Sequence, residues 1–571
     1  MQTRTRDRLL FAAWVAWTLF VLSHYYVQLW RAVAARALPS PAIPAFVALL
    51  LVAATSVGIR SLARKSIAFP PRLTHVSTAF LLGAFLITVP WAAAHDVLLA
   101  AGARLTLPGF PWFGEAVARS GTALVGATLV ATAACSSGSL VLRSLGLRAT
   151  SVVEYVVFAA VTGIGVVSYT SLLLALAGVY RPMPVAGLVA VLILAGMVRR
   201  RGAPAVRYVR AAAPIGTAAA VWSALAAVAL GYALAAALAP EKEYDALWYH
   251  LQLPRLWLEA GHPVDVVHEY VSLYPLTWEL VFGAGMVLGG PVGAKLLHFA
   301  CLPALAALVV LAARRFLPGV SSAAAVAILV VTPTLLWEST TTYVDLALAL
   351  HSAAACYAIA RYAESRDRSW GAVAALQFGL AAATKHLGVV VAAIALALYL
   401  LSAVRSRGGI ASRLKPAIVI ALIAAAVPLP WYLRAWFASG NPVFPELFGL
   451  FGAYPSWRWD ATTEQGLARF KAHFGMGRSP GALLALPWNV TVHGALYSGS
   501  IGPLFLVLLP GLLRSSRRPG AIRWLAYGVA AYVAVWASPL SSFQMRFLMP
   551  VVAPLAVLAS AAFESIDRSA S

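Results

Sequence analysis

EKEYDALWYHLQLPRLWLEAGHPVDVVHEYVSLYPLTWELVFGAGMVLGGP, residues 241–291, is the stretch around which the rest of the chain is arranged. Seven of the chain's twenty acidic residues lie between Glu241 and Glu279, together with His250, His262, His268 and a run of tyrosines and tryptophans. No other stretch gathers so many groups able to move protons or hold a polar ligand. On both sides the chain turns into long apolar runs, so the stretch reads as an outer loop carried by helices that hold it at a membrane surface.

The composition outside that loop decides the class. Of 571 residues 61% are hydrophobic and 11% charged, with a mean hydropathy of +0.81. A soluble domain carries roughly a quarter charged residues. Runs of about 20 apolar residues recur, each long enough to cross about 30 Å of hydrocarbon. The runs are continuous rather than alternating, which excludes a transmembrane barrel. The expected fold is all-α, a polytopic transmembrane helical bundle. The net charge of +23 is divided among many short turns, which argues against a nucleic-acid surface. Cys135, Cys301 and Cys356 sit in or beside apolar segments without metal-type spacing and read as packing residues.

Sixteen spans are expected, at about 9–29, 43–60, 74–98, 120–142, 152–178, 183–198, 213–238, 292–313, 320–337, 346–362, 370–384, 387–403, 416–433, 501–513, 521–537 and 547–563. Alternate connections carry the basic residues, among them Arg143/Arg148, Arg314/Arg315, Arg366/Arg368, Arg405/Arg407 and Arg514/Arg517. The positive-inside rule makes those connections, and both termini, cytoplasmic. The opposite face holds twelve of the twenty acids in its segments between 241 and 464, so any chemistry belongs outside a bacterial cytoplasmic membrane. Residues 1–210, poor in acids, read as an accessory membrane domain of about six spans. Residues 211–571 read as the functional core, with outer loops 240–291 and 434–500.

Several groups on the outer side could carry chemistry. Asp245 follows a span, and Asp345 begins another after Thr340-Thr341-Thr342-Tyr343-Val344. Each is a helix cap in the bland reading and a functional carboxylate in the other. Lys385, in ATKHLG, lies between two apolar runs, where a lysine either snorkels or aims a point charge at a phosphate. Arg434 and Arg546 also stand at outer span ends, against the positive-inside trend, and three such cations ask for an anionic ligand. Trp457-Arg458-Trp459-Asp460 and an amphipathic helix at 463–474 mark the second outer loop. No phosphate-binding Gly-rich loop or dinucleotide fingerprint is present.

The ordered set YDALWYHLQLPRLWLEAG, YPLTWELVFGAGMVLGG, TTYVDLALAL, GLAAATKHLG, PWYLRAWFASGNPVFP and QMRFLMP resembles the GT-C superfamily of membrane glycosyltransferases. Within it the set looks like the branch of protein O-mannosyltransferases, aminoarabinose transferases and their bacterial relatives. The resemblance covers about 213–565. It implies a first-loop catalytic carboxylate and a polyprenyl-phosphate-linked sugar as donor, transferred to a glycan, lipid or protein acceptor. Carried over, Asp245 matches the first-loop acid, Asp345 the acid of the second outer loop, and Lys385 a position near the lipid phosphate. Many relatives have adjacent Asp-Glu in the first loop. Here Ala246 follows Asp245, so either Glu243 is the substitute or the acceptor differs. His250, Glu279, Lys385, Arg434, Asn441 and Arg546 are the expected substrate-binding groups. Cofactors are left open: a divalent metal, if one is used, would sit on Asp245 and Asp345. The rival from another class is a transporter or flippase for a lipid-linked glycan, which requires charges buried and paired in mid-span.

Overall fold

The computed structural model describes residues 2–34, 111–198, 217–404, 409–514 and 520–570, and helices dominate them, with no strand beyond one isolated bridge. The expected spans 43–60 and 74–98 lie outside the described residues. The helices are α1 (Gln2–Ala34), α2 (Pro111–Ser144), α3 (Val152–Leu176), α4 (Pro182–Val198), α5 (Thr217–Ala237), α6 (Gln252–Ala260), α7 (Thr277–Phe299), α8 (Cys301–Phe316) and α9 (Ser322–Val330). They continue with α10 (Pro333–Glu338), α11 (Asp345–Ser365), α12 (Arg368–Thr384), α13 (Leu387–Leu401), α14 (Ala411–Ala426), α15 (Leu429–Ser439), α16 (Ala461–Ala472), α17 (Gly520–Ala537) and α18 (Met549–Ala570), with short helical turns between. Among the described residues seven helical stretches are long and apolar enough to cross a membrane, and an eighth is the pair α14 and α15, bent by 52°.

Two departures from the sequence expectation matter for the site. Residues 277–289, expected in the outer loop, are helical. Gly290 breaks α7 with φ 66°, ψ −173°, next to Pro291. The chain then folds back on itself, because a Cβ added at Gly285 would lie 2.9 Å from the Ala294 Cα, whereas nine residues of straight helix span about 13.5 Å. Second, the 320–337 segment divides at Thr332–Pro333 into α9 and the single turn and a half of α10. Proline at the first position of α10 removes a donor that no helix end could use.

The N-terminal helices pack on the rest through small residues. A Cβ at Gly138 would sit 1.8 Å from the Ala159 carbonyl oxygen, and one at Gly163 would sit 1.7 Å from that of Ala134. The pairs Ala134/Gly138 and Ala159/Gly163 are therefore small-xxx-small seams that bring the α2 and α3 backbones together, where dispersion replaces the hydrophobic drive absent in lipid. At the middle of α2, Gly126 meets the turn at Leu288–Gly289. Buried polar links finish the join. Glu154 of α3 accepts from the Tyr357 hydroxyl at 2.6 Å and pairs with Arg361, both on α11. The Trp278 indole donates to His351 Nε2 at 3.2 Å, which leaves the proton on Nδ1 for Gln377 Oε1 at 2.8 Å, and Gln377 donates to Thr162. Each member of that chain is satisfied, so it stiffens the bundle without a buried charge.

Candidate active site

Immediately after α5 the acidic loop is tied to the turn before α11. One oxygen of Glu241 accepts from the Thr342 amide at 2.7 Å, the Thr342 hydroxyl at 2.6 Å and the Thr341 hydroxyl at 3.3 Å. Its other oxygen accepts from the Lys242 and Glu243 amides at 2.9 and 3.2 Å. This one carboxylate brings residues a hundred positions apart into register and so sets Asp245 beside the 339–344 turn. Ala246–His250 then form a wide π-helical turn, which leads into α6. Such turns cost helix geometry and recur where side chains have to be aimed.

Four segments converge here. Arg546, in the turn before α18, donates through Nη1 to Asp245 Oδ2 at 2.5 Å, with both side chains 16% exposed. Lys385, in the break between α12 and α13, donates to Asp345 Oδ1 at 2.7 Å. Phe547 lies between the two cations: its ring centroid is 4.2 Å from Lys385 Nζ and 5.3 Å from Arg546 Cζ. Tyr343 covers Arg546 from another side, at 5.1 Å. Gln544 Oε1 accepts from Arg546 Nε at 2.9 Å. The result is two cation–carboxylate pairs side by side against aromatic faces.

Both bland readings of this region are corrected. Asp345 does not cap α11: it makes no capping bond and is fully buried, 0% exposed. Its second oxygen has no hydrogen-bond partner. Lys385 is not snorkelling, because its ammonium is spent on that buried carboxylate. Burial pulls the Lys385 ammonium below its ordinary value, and the Asp345 charge opposes this.

A carboxyl that the sequence reading passed over completes the cluster. Glu338, the last residue of α10, is 0% exposed and neither of its oxygens has a hydrogen-bond partner. Burial, reinforced by the charge of Asp345, holds it well above the usual carboxylate range, while Arg546 and Lys385 pull the other way. A sequence signal existed: a lone glutamate closing an apolar segment, seven residues before Asp345.

His250 and Glu279 form a second layer. Nδ1 of His250 lies 2.7 Å from Glu279 Oε1, both groups are buried, and the His250 ring stands 5.6 Å from Tyr343. Burial, and then the charges of Lys385 and Arg546, push the imidazole well below its ordinary range. His298 donates through Nδ1 to the Thr341 carbonyl at 2.7 Å and so braces the same turn from below.

Other expected site residues stand elsewhere. Arg434 donates to the Ser272 carbonyl at 2.7 Å, pairs with Asp265 and lies over Trp257 at 5.0 Å, so it anchors the far part of the acidic loop. Asn441 accepts from the Val443 amide and donates to the Glu446 carbonyl, both at 2.9 Å, and shapes its own turn. Glu243 lies 3.7 Å from Lys242 at the rim. Asp245 and Asp345 each give an oxygen to a side-chain cation. Among the described residues no group of three histidine, cysteine or acidic side chains is arranged to hold a metal ion.

Residues 278–431, a little over a quarter of the chain, match the family model described as dolichyl-phosphate-mannose-protein mannosyltransferase. Two solved structures align with the chain. One is ArnT from Cupriavidus metallidurans bound to undecaprenyl phosphate, at 19% identity over 60% of this chain and 59% of that one, with a TM-score of 0.41. The other is the archaeal oligosaccharyltransferase AglB from Archaeoglobus fulgidus, in complex with an inhibitory peptide and a dolichol-phosphate, at 15% identity over 60% of this chain and 50% of that one, with a TM-score of 0.33. The chain thus spans less than two thirds of the length of either. No curated protein matches it. The resemblance to GT-C membrane glycosyltransferases holds over residues 278–431, the segment that carries Glu338, Asp345 and Lys385.

Proposed function

We propose that this protein is an inverting glycosyltransferase that takes a sugar from a polyprenyl-phosphate donor and passes it to a hydroxyl-bearing acceptor on the outer face of a cytoplasmic membrane. The observation that carries the reading is the juxtaposition of Lys385 and Arg546 across Phe547, each held by its own carboxylate. Two fixed cations side by side suit a phosphate, and the matched family is described by a donor of that class. A lipid-borne donor also gives a reason for so many apolar helices around one polar site.

The paired state is the resting state in this reading. An arriving phosphate competes with Asp345 for Lys385 and with Asp245 for Arg546. Once Arg546 turns to phosphate, Asp245 becomes available to the acceptor. Its carboxylate takes the acceptor hydroxyl proton as the acceptor oxygen bonds to the sugar C1. The C1–O bond to phosphate breaks with its electron pair going to the phosphate, whose added charge Lys385 and Arg546 stabilise. Attack opposite the leaving group inverts the anomeric centre. Glu241, His298 and the His250–Glu279 pair hold the turn and loop in place and touch no reacting atom. Domain roles follow the same scheme, with 211–571 as catalytic core and 1–210 as support.

The test is Asp245→Asn in a transfer assay with a polyprenyl-phosphate sugar. Turnover should fall by roughly 10²–10⁴, the share of a general base, while donor affinity is kept or rises as Arg546 loses its competing carboxylate. Normal turnover in Asp245→Asn would remove the base and, with it, the proposed mechanism.

A further inference from the structure

Glu338 is the one member of the cluster that the ion pairing leaves unaccounted for. Lys385 and Arg546 supply two positive charges, and Asp345 and Asp245 supply two negative ones. A third carboxylate in the same buried space would leave the site net negative before any phosphate arrived. An isolated buried carboxylate is so costly that the group takes up a proton instead. Once protonated, the carboxyl changes from an acceptor into a donor. Both Glu338 oxygens are buried without a hydrogen-bond partner, and the free oxygen of Asp345 is in the same condition. A buried polar atom with no partner among the protein's own groups is open to hydrogen-bond with a bound group or with water.

We propose that Glu338 binds the donor phosphate as a neutral carboxylic acid, donating its O–H to a phosphate oxygen while Lys385 and Arg546 provide the charge. The proposal rests on the lipid-phosphate reading above and adds to it a group that makes phosphate binding depend on pH. A buried carboxyl kept neutral so that it can donate is a known device for oxyanions. Its place supports the role. The backbone at its end of α10 and the turn that follows are fixed by Glu241 and by His298 at the Thr341 carbonyl. The charged and titratable groups around it are Asp345 and Tyr343 from the same segment, Asp245 from the acidic loop, Lys385 from the α12–α13 break, Arg546 from the turn before α18, and His298 from α7.

The sign of the pH effect follows from the proton. Glu338 must carry it to donate, and its titration lies well above the usual carboxylate range. Phosphate binding through this group is present below that titration and is lost as pH rises through it. The probe is farnesyl phosphate, with farnesol as the apolar control, bound to the full chain in detergent between pH 6.5 and 9.5. The wild type, Glu338→Gln, Glu338→Ala and the double variant Asp345→Asn/Lys385→Gln are compared. Glutamine is neutral and donates at every pH. Glu338→Gln should therefore bind within about threefold of the wild type at the acid end of that range and stay level where the wild type weakens. Glu338→Ala should bind about ten- to a hundredfold more weakly, the scale of one hydrogen bond to a charged group. The phosphate's own titration, near pH 6, is common to all variants and cancels in their ratios.

Equal binding by all three Glu338 forms would make the residue a passive buried acid and overturn the proposal. Loss in Glu338→Gln as deep as in Glu338→Ala would mean that the negative charge is required, as for a bound cation, and would overturn it too. If the wild type itself prefers farnesyl phosphate no more than farnesol, the lipid-phosphate reading fails first.

Discussion

Replacing Lys385 by glutamine tests the site and the fold together, and the structure shows how to separate them. The substitution leaves Asp345, 0% exposed, without the ammonium 2.7 Å away. Breaking a buried pair from one side costs about 3–5 kcal/mol, because the remaining charge is uncompensated. At the low end of that range, about 3 kcal/mol should appear as a clear drop in thermal stability. The same variant loses a cation for phosphate, worth about 1.5–3 kcal/mol, or roughly ten- to a hundredfold in donor affinity. The double variant Asp345→Asn/Lys385→Gln removes both charges and leaves a neutral pair that can still hydrogen-bond. Its melting should return close to that of the wild type, while its affinity for farnesyl phosphate stays low. Lys385→Arg should recover part of the affinity, since a point contact needs charge more than shape. Thermal unfolding and ligand binding, measured on the same nanodisc samples, give both readouts. A double variant that binds phosphate like the wild type would remove Lys385 from the donor site and leave it as Asp345's counter-ion only.

Two further outcomes are expected. Glu154→Gln should lower thermal stability by about 3–5 kcal/mol, because Arg361, 5% exposed, keeps its charge without a carboxylate. Donor affinity should stay unchanged in that variant, and a parallel loss of affinity would tie the α3–α11 join to the site. For topology, cysteine at the exposed Glu259 should react with an impermeant thiol reagent added outside, and cysteine at the exposed Arg366 should not; the opposite pattern would place the carboxylate cluster on the cytoplasmic side.

The class of this protein was legible in its residues because lipid is an unforgiving solvent: 61% apolar composition in runs of about 20 leaves only helices able to satisfy their own backbone. The site was partly legible for the same reason. Asp245, Asp345, Lys385 and Arg546 stand out as charges at the ends of apolar segments, and the fold brings all four together. Which charge meets which was not readable, since Arg546 pairs with Asp245 across 301 residues and no periodicity in the chain encodes such a contact. The tertiary structure alone turned Arg434 toward the Ser272 carbonyl and Asp265, away from the cluster, although its sequence context matches that of the other two outer cations. It alone set Glu338 beside them, because burial depends on what packs around the short turn of α10 and not on the residues within it. The reason is one of range. Transfer into lipid acts on each segment separately and so marks the sequence locally, whereas desolvation and ion pairing act between segments and exist only once the helices have met.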